Sequence, residues 1–271
     1  MTSLPLLLEP AQLHLQREDS ALLIIDMSNP EHFAERHIPG AVNLPYGHIV
    51  KPMPPAGGML PDETQLSEVL SAIGLTPERH VVAYDSEQGG RAARLLWTLD
   101  VLGHTHLSLL NGGLSAWENA GLPLASGTIS PTRSSYQARL ANPSVLADKD
   151  YILSRLGEAD FALLDARSAA EYAGLDVRAA RGGHIPGAVN LNWLNCIDSG
   201  NHLRFKPDSE LRGLLSTLGL RQEQEIVTYC QTHHRSAHSY WVLKHLGFPR
   251  IRGYVGSWSE WGNDPATPIE P

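Results

Sequence analysis

VTYCQTHHRSAHSYW, residues 227–241, gathers the side chains of most chemical interest. An apolar run, EIVTY at 225–229, delivers Cys230 into the short polar stretch CQTHHR, and from about Ser236 the pattern turns helical. Cysteine reacts as its thiolate, and the thiolate fraction is set by the surroundings of the sulfur. A loop that joins the carboxyl end of a strand to the amino end of a helix turns backbone N–H groups inward and favours a negative charge there. Arg235 closes the loop with a full positive charge. Cys230 is therefore expected to be a nucleophile of lowered pKa. Gln231, Thr232, His233, His234 and Arg235 are expected to line a site for an anionic substrate, the two histidines by charging near a pH of about 6.5.

The elements that position this loop come from a duplication. HIPGAVNL occurs at residues 37–44 and again at 184–191. LLIIDMS at 22–28 matches ALLDARS at 162–168, VVAYD at 81–85 matches IVTYC at 226–230, and NGGLSAW at 111–117 matches VGSWSEW at 255–261. Each copy alternates short apolar runs with segments of helical period, such as ARLLWTLDVLG at 93–103 and AHSYWVLKHLG at 237–247. Runs that are apolar on both faces suit strands covered on both sides, so each copy is expected to be an α/β domain with a mainly parallel sheet flanked by helices. GLPLASGTISPTRSSYQ at 121–137 is rich in Gly, Pro, Ser and Thr and reads as a linker. The expected division is 1–125, a linker at 126–140, and 141–271.

The copies differ at the chemically loaded position, where the first carries Asp85 in DSEQGGR, residues 85–91. A free cysteine beside a strand is commonly a small core residue. Asp85 argues against that here, because an aspartate in a core would be a buried charge without a partner. Both positions are therefore expected at a pocket rim, with carboxylates repelling anions from the first. Residues 1–125 contain six Lys or Arg against fourteen Asp or Glu, whereas 126–271 contain fifteen of each. The half with Cys230 thus tolerates an anionic substrate better. His184 of the second HIPG recurs as His37 in the first, which points to a structural role.

Function classes are also excluded. A net charge of −8 speaks against nucleic-acid binding, and no apolar run approaches the roughly 20 residues of a membrane-spanning helix. MTSLPLLLEP lacks the basic start of a signal peptide, and two cysteines make neither a disulfide framework nor a zinc site, so a reducing cytoplasmic location is expected. Cys196, in LNWLNC, is read as structural.

HIPGAVNL, the strand ending in Cys230, the CQTHHR loop and GSWSEW together resemble the rhodanese family of sulfurtransferases, over nearly the whole chain. The resemblance implies two tandem rhodanese-like domains, the first inactive and the second catalytic. It also implies transfer of the sulfane sulfur of thiosulfate, through a Cys230 persulfide, to a thiophilic acceptor such as cyanide, a thiol, a thioredoxin-like protein or an iron–sulfur assembly protein. No metal or organic cofactor is implied, Arg181 becomes a further candidate for substrate contact, and the internal duplication favours a monomer. Gln231 is neither the basic residue that many thiosulfate-using members place after the cysteine nor the small one of mercaptopyruvate-using members, so 3-mercaptopyruvate stays open as donor. A cysteine phosphatase is the rival enzyme class. Its loop is Cys-x5-Arg, whereas Cys230 to Arg235 is Cys-x4-Arg.

Overall fold

A computed structural model describes residues 4–271. It divides into two compact units, one of the described residues up to 50, 61–142 and 197–205, the other of residues 51–60, 143–196 and 206–271.

The first unit is built on strands β1 (Leu7–Leu8), β2 (Leu22–Asp26), β3 (Val42–Asn43), β4 (His80–Tyr84) and β5 (Leu107–Leu110). All pair in parallel, in the order β3-β2-β4-β5-β1. The second unit repeats the arrangement with β6 (Leu146–Ala147), β7 (Phe161–Asp165), β8 (Val189–Asn190), β9 (Glu225–Tyr229) and β10 (Ile251–Tyr254), in the order β8-β7-β9-β10-β6, again all parallel. The duplicated sequence has become a duplicated topology, and the α/β expectation is met in both units. Ile24, Val82 and Trp117 lie in one core, and Leu163, Val227 and Trp261 in the other.

The HIPG segments do the same structural work twice. His37 stacks on Phe33 and its Nδ1 lies 2.8 Å from the Phe33 carbonyl; His184 stacks on Tyr172 and its Nδ1 lies 3.0 Å from the Tyr172 carbonyl. The next residue, Ile38 or Ile185, donates its N–H to the hydroxyl of Tyr84 or Tyr229, the last residue of the central strand. Each motif therefore anchors a loop to the strand end that precedes the loaded position.

Two features differ from the sequence expectation. Residues 126–140 are not a free linker: Tyr136 N donates to Ser71 Oγ, Ala138 N to Ser67 Oγ and Leu140 N to Glu63 Oε1, so the segment is laced along the helix Glu63–Ala72. Backbone groups that find such partners do not need water. In addition, the antiparallel hairpin Lys51–Met53 and Ala56–Met59 packs within the second unit, although it lies in the first sequence copy, and residues 197–205 pack within the first unit. A single cut through the chain does not separate the units.

Candidate active site

Cys230 directly follows β9, the central strand, and the loop after it ends at helix Arg235–His245. The cysteine is 1 % exposed. Burial alone pushes a thiol pKa up, yet here the net shift is downward. The Arg235 charge, the Ser236 hydroxyl and the backbone amides of Ser236 and Thr232, all acting on the sulfur, outweigh burial. Each of these groups stabilises the thiolate over the thiol. Ser236 was not singled out in the sequence, although it opens the helical segment there.

Arg235 is held from behind. Its guanidinium donates to both oxygens of Glu171, at 2.6 and 2.8 Å. Glu171 is buried, and although burial works against its charge, the Arg235 and Ser168 hydrogen bonds hold its pKa down to about 2. Ser168 and Glu171 form a reciprocal capping box at the start of helix Ala169–Tyr172. The S-A-A-E spacing at 168–171 was the available sequence signal for this carboxylate. Arg235 thus contributes its field to Cys230 from a fixed position.

The remaining candidates are placed unequally. Thr232 contributes its backbone amide to the sulfur. Gln231 is half-buried and its Nε2 donates to the Arg178 carbonyl at 2.9 Å. His234 is half-buried, with its ring 6.2 Å from that of Trp193. His233, with a left-handed φ of 53°, is fully buried, its Nδ1 2.7 Å from the Ser236 Oγ that also acts on the Cys230 sulfur. The Arg181 guanidinium donates to the carbonyls of Trp261, Asp264 and Thr267 and to Thr267 Oγ1, which makes it a clamp on the segment after Trp261. Cys196 is buried, and burial, opposed only in part by the Lys206 charge, pushes its pKa up to about 12. Among the described residues, no group of three or more His, Cys, Asp or Glu is placed to hold a metal ion.

The hairpin supplies a support that the sequence did not reveal. Gly57 N donates to Ser259 Oγ at 3.1 Å, and a Cβ at Gly58 would collide with the Thr232 carbonyl oxygen. Ser259 N in turn donates to the Gln231 carbonyl. Glycine is needed here for close backbone approach to the loop.

The matching loop of the first unit is filled by its own side chain. Asp85 is 1 % exposed, its Oδ1 accepting from the amides of Glu87 and Gly89 and its Oδ2 from those of Arg91 and Ala92. The expectation of a pocket rim is thereby revised: the aspartate is buried after all, and the four amides are the partners that the sequence argument did not anticipate. Its carboxylate does not face outward to repel anions. It occupies the anion's place.

Comparisons with known proteins identify the family. The Rhodanese-like domain model matches residues 9–120 and 148–264. The chain is 44% identical to a thiosulfate sulfurtransferase of Azotobacter vinelandii, over 99% of this chain and 98% of that one. It is 43% identical to a thiosulfate sulfurtransferase of Pseudomonas aeruginosa over the same shares. The crystal structure of SseA from Escherichia coli, described as a 3-mercaptopyruvate sulfotransferase of the rhodanese fold, is similar with a TM-score of 0.84 at 25% identity, covering 94% of this chain and 99% of that one.

Proposed function

The chain belongs to the rhodanese family, and we propose that Cys230 is its nucleophile in a thiosulfate sulfurtransferase reaction. The Cys230 thiolate attacks the outer sulfur of thiosulfate; the sulfur–sulfur bond of the donor breaks, and sulfite leaves with the electron pair. The enzyme then holds a persulfide anion. A thiophilic acceptor, cyanide or a thiolate, attacks the outer sulfur of this group and regenerates the Cys230 thiolate. The observation that carries the reading is a thiol buried at the exit of the central strand with Arg235, the Ser236 hydroxyl and the Ser236 and Thr232 amides acting on its sulfur, since the groups that lower its pKa also stabilise a persulfide anion in the same place. Near-complete enclosure keeps water from the persulfide and suits a slender donor.

Positive potential toward thiosulfate comes from the loop amides and from Arg235, the neutral Gln231 notwithstanding. The names of the two thiosulfate sulfurtransferases favour thiosulfate, and the likeness to SseA makes 3-mercaptopyruvate the second donor to compare. The four residues between Cys230 and Arg235 are one short of a phosphatase loop, so aryl phosphates are not substrates. Two free cysteines fit a reducing cytoplasmic compartment. The acceptor in the cell is a thiol of a small molecule or protein, and the enzyme acts as a monomer.

The test is incubation with thiosulfate followed by mass measurement of the intact chain and of the peptide containing Cys230. One added sulfur atom, removable by cyanide and lost in Cys230→Ser, is expected. Sulfur uptake on Cys196 with Cys230 unmodified contradicts the assignment. Turnover with thiosulfate and with 3-mercaptopyruvate then ranks the donors.

A further inference from the structure

Resting on Cys230 as the nucleophile, we propose that Ser257 is a positioning residue that fixes the direction in which Cys230 presents its sulfur. Ser257 is fully buried and has a φ of 52°, in the left-handed region that side chains with a Cβ seldom adopt. The matching residue of the first unit is Gly113, with a φ of 53°, the residue type suited to that conformation. The backbone device around the two positions is the same. Leu114 N donates to the Asp85 carbonyl at 3.1 Å, and Trp258 N to the Cys230 carbonyl at 2.9 Å. Ser257 adds a side chain where Gly113 has none, although the preceding glycines differ in backbone, Gly112 with a φ of 77° and Gly256 with −66°.

That side chain reaches Cys230. The Ser257 hydroxyl donates to the Tyr254 carbonyl at 2.8 Å and accepts the Cys230 N–H at 3.3 Å. The N–H and the carbonyl of Cys230 are thus both tied to the 257–258 turn, which sets the orientation of the Cα–Cβ bond between them. The first unit has no need of this second tie, because four amides grip the Asp85 carboxylate directly. A sulfur atom accepts weaker hydrogen bonds than a carboxylate, so its place in the loop must be set from the backbone. A Cβ at Gly113 would lie 2.5 Å from the Asp85 carbonyl oxygen, so the first unit also has no room for the serine. A strained residue retained at a site of chemistry, where its own repeat uses glycine, points to a role in that chemistry.

The experiment compares Ser257→Gly and Ser257→Ala with the natural chain in three readouts: sulfur uptake from thiosulfate at Cys230, kcat/KM, and the pH midpoint of Cys230 alkylation. Glycine removes the hydroxyl and relieves the backbone, so Ser257→Gly is expected to fold with undiminished thermal stability. Its kcat/KM should fall roughly tenfold, as misdirection of a nucleophile by a fraction of an ångström does, and its alkylation midpoint should rise. Ser257→Ala keeps the strained backbone and should show the same two losses with a lower Tm. Natural rate and midpoint in Ser257→Gly overturn the proposal, whatever the Tm does. If the natural chain itself takes up no sulfur at Cys230, the nucleophile assignment fails first; if it does so and Ser257→Gly matches it, only the positioning role fails.

Discussion

Asp85 and Cys230 stand at the same point of two copies of one unit, each just beyond a central strand, each 1 % exposed, each with its carbonyl held by a backbone N–H, of Leu114 or Trp258, from beyond the next strand. The first loop supplies both the cradle and the anion. The second supplies a cradle whose occupant, on the proposed function, gains and loses a sulfur. Counting to Arg91 and to Arg235, the first loop has five intervening residues and the second four, which accords with wrapping a carboxylate with two oxygens against a single sulfur atom. What the pair teaches is that an amide-lined loop is a fold property that both copies retain, while reactivity depends on what the loop holds. Arginine follows the same division. Arg91 is directed to Asn29 and Glu87, whereas Arg235 is fixed on the buried Glu171 and acts on the thiol.

The sharpest way to break this comparison is Cys230→Ser, which should reduce sulfur transfer to background, since Asp85 cannot carry sulfur; residual turnover would place chemistry elsewhere. Next in size is Glu171→Gln. Removing one partner of a buried ion pair costs about 3–5 kcal/mol, so Tm should drop markedly. The freed Arg235 should lose its fixed position and kcat/KM should fall about tenfold or more. An unchanged kcat/KM would show that Arg235 needs no tether. The same pair gives a pH dependence of stability. Because the folded pKa of Glu171 lies near 2, below its ordinary value, its contribution is fully present above the ordinary carboxylate range and is lost as pH falls toward 2. Acid-unfolding curves of Glu171→Gln should therefore be flatter in that range.

A smaller effect is expected of Asp85→Ala. Four amides lose their acceptor, but only that of Ala92 belongs to a buried residue, so about 1–3 kcal/mol applies there and less at Glu87, Gly89 and Arg91, which water can reach. Urea unfolding should show the destabilisation while sulfur transfer per folded molecule stays within about twofold, as for a change remote from reacting atoms. A large activity loss at equal foldedness would contradict a purely structural first loop. Smallest of all is Cys196→Ser, expected to leave turnover intact, as suits a thiol pushed up to about 12 by burial. Iodoacetamide at neutral pH should label Cys230 and spare Cys196.

Much of this was readable from residue order. HIPGAVNL twice, and matching apolar runs that close on Asp26 and Asp165, foretold two parallel sheets, because strands buried on both faces leave continuous apolar runs. Cys230 at the exit of EIVTY foretold the loop. The directions of side chains were not readable, since they depend on backbone angles that the sequence does not display. His233 takes a positive φ and is fully buried, and Arg181 finds carbonyls more than seventy residues away. The buried state of Asp85 was hidden for a related reason: its partners are backbone amides, which have no sequence signature. The hairpin Lys51–Met53 and Ala56–Met59 has short, irregular strands with no alternation to mark it, and only its glycines hint at a close approach.

The measurement that goes most directly to the difference between the two loops is the pH dependence of Cys230 alkylation in the native chain. A midpoint below that of an ordinary thiol, moved upward when Arg235 is replaced by Ala, is the result the amide-and-arginine cradle requires. An ordinary or raised midpoint, unmoved by Arg235→Ala, would mean that burial prevails and that the loop holds a resting core cysteine.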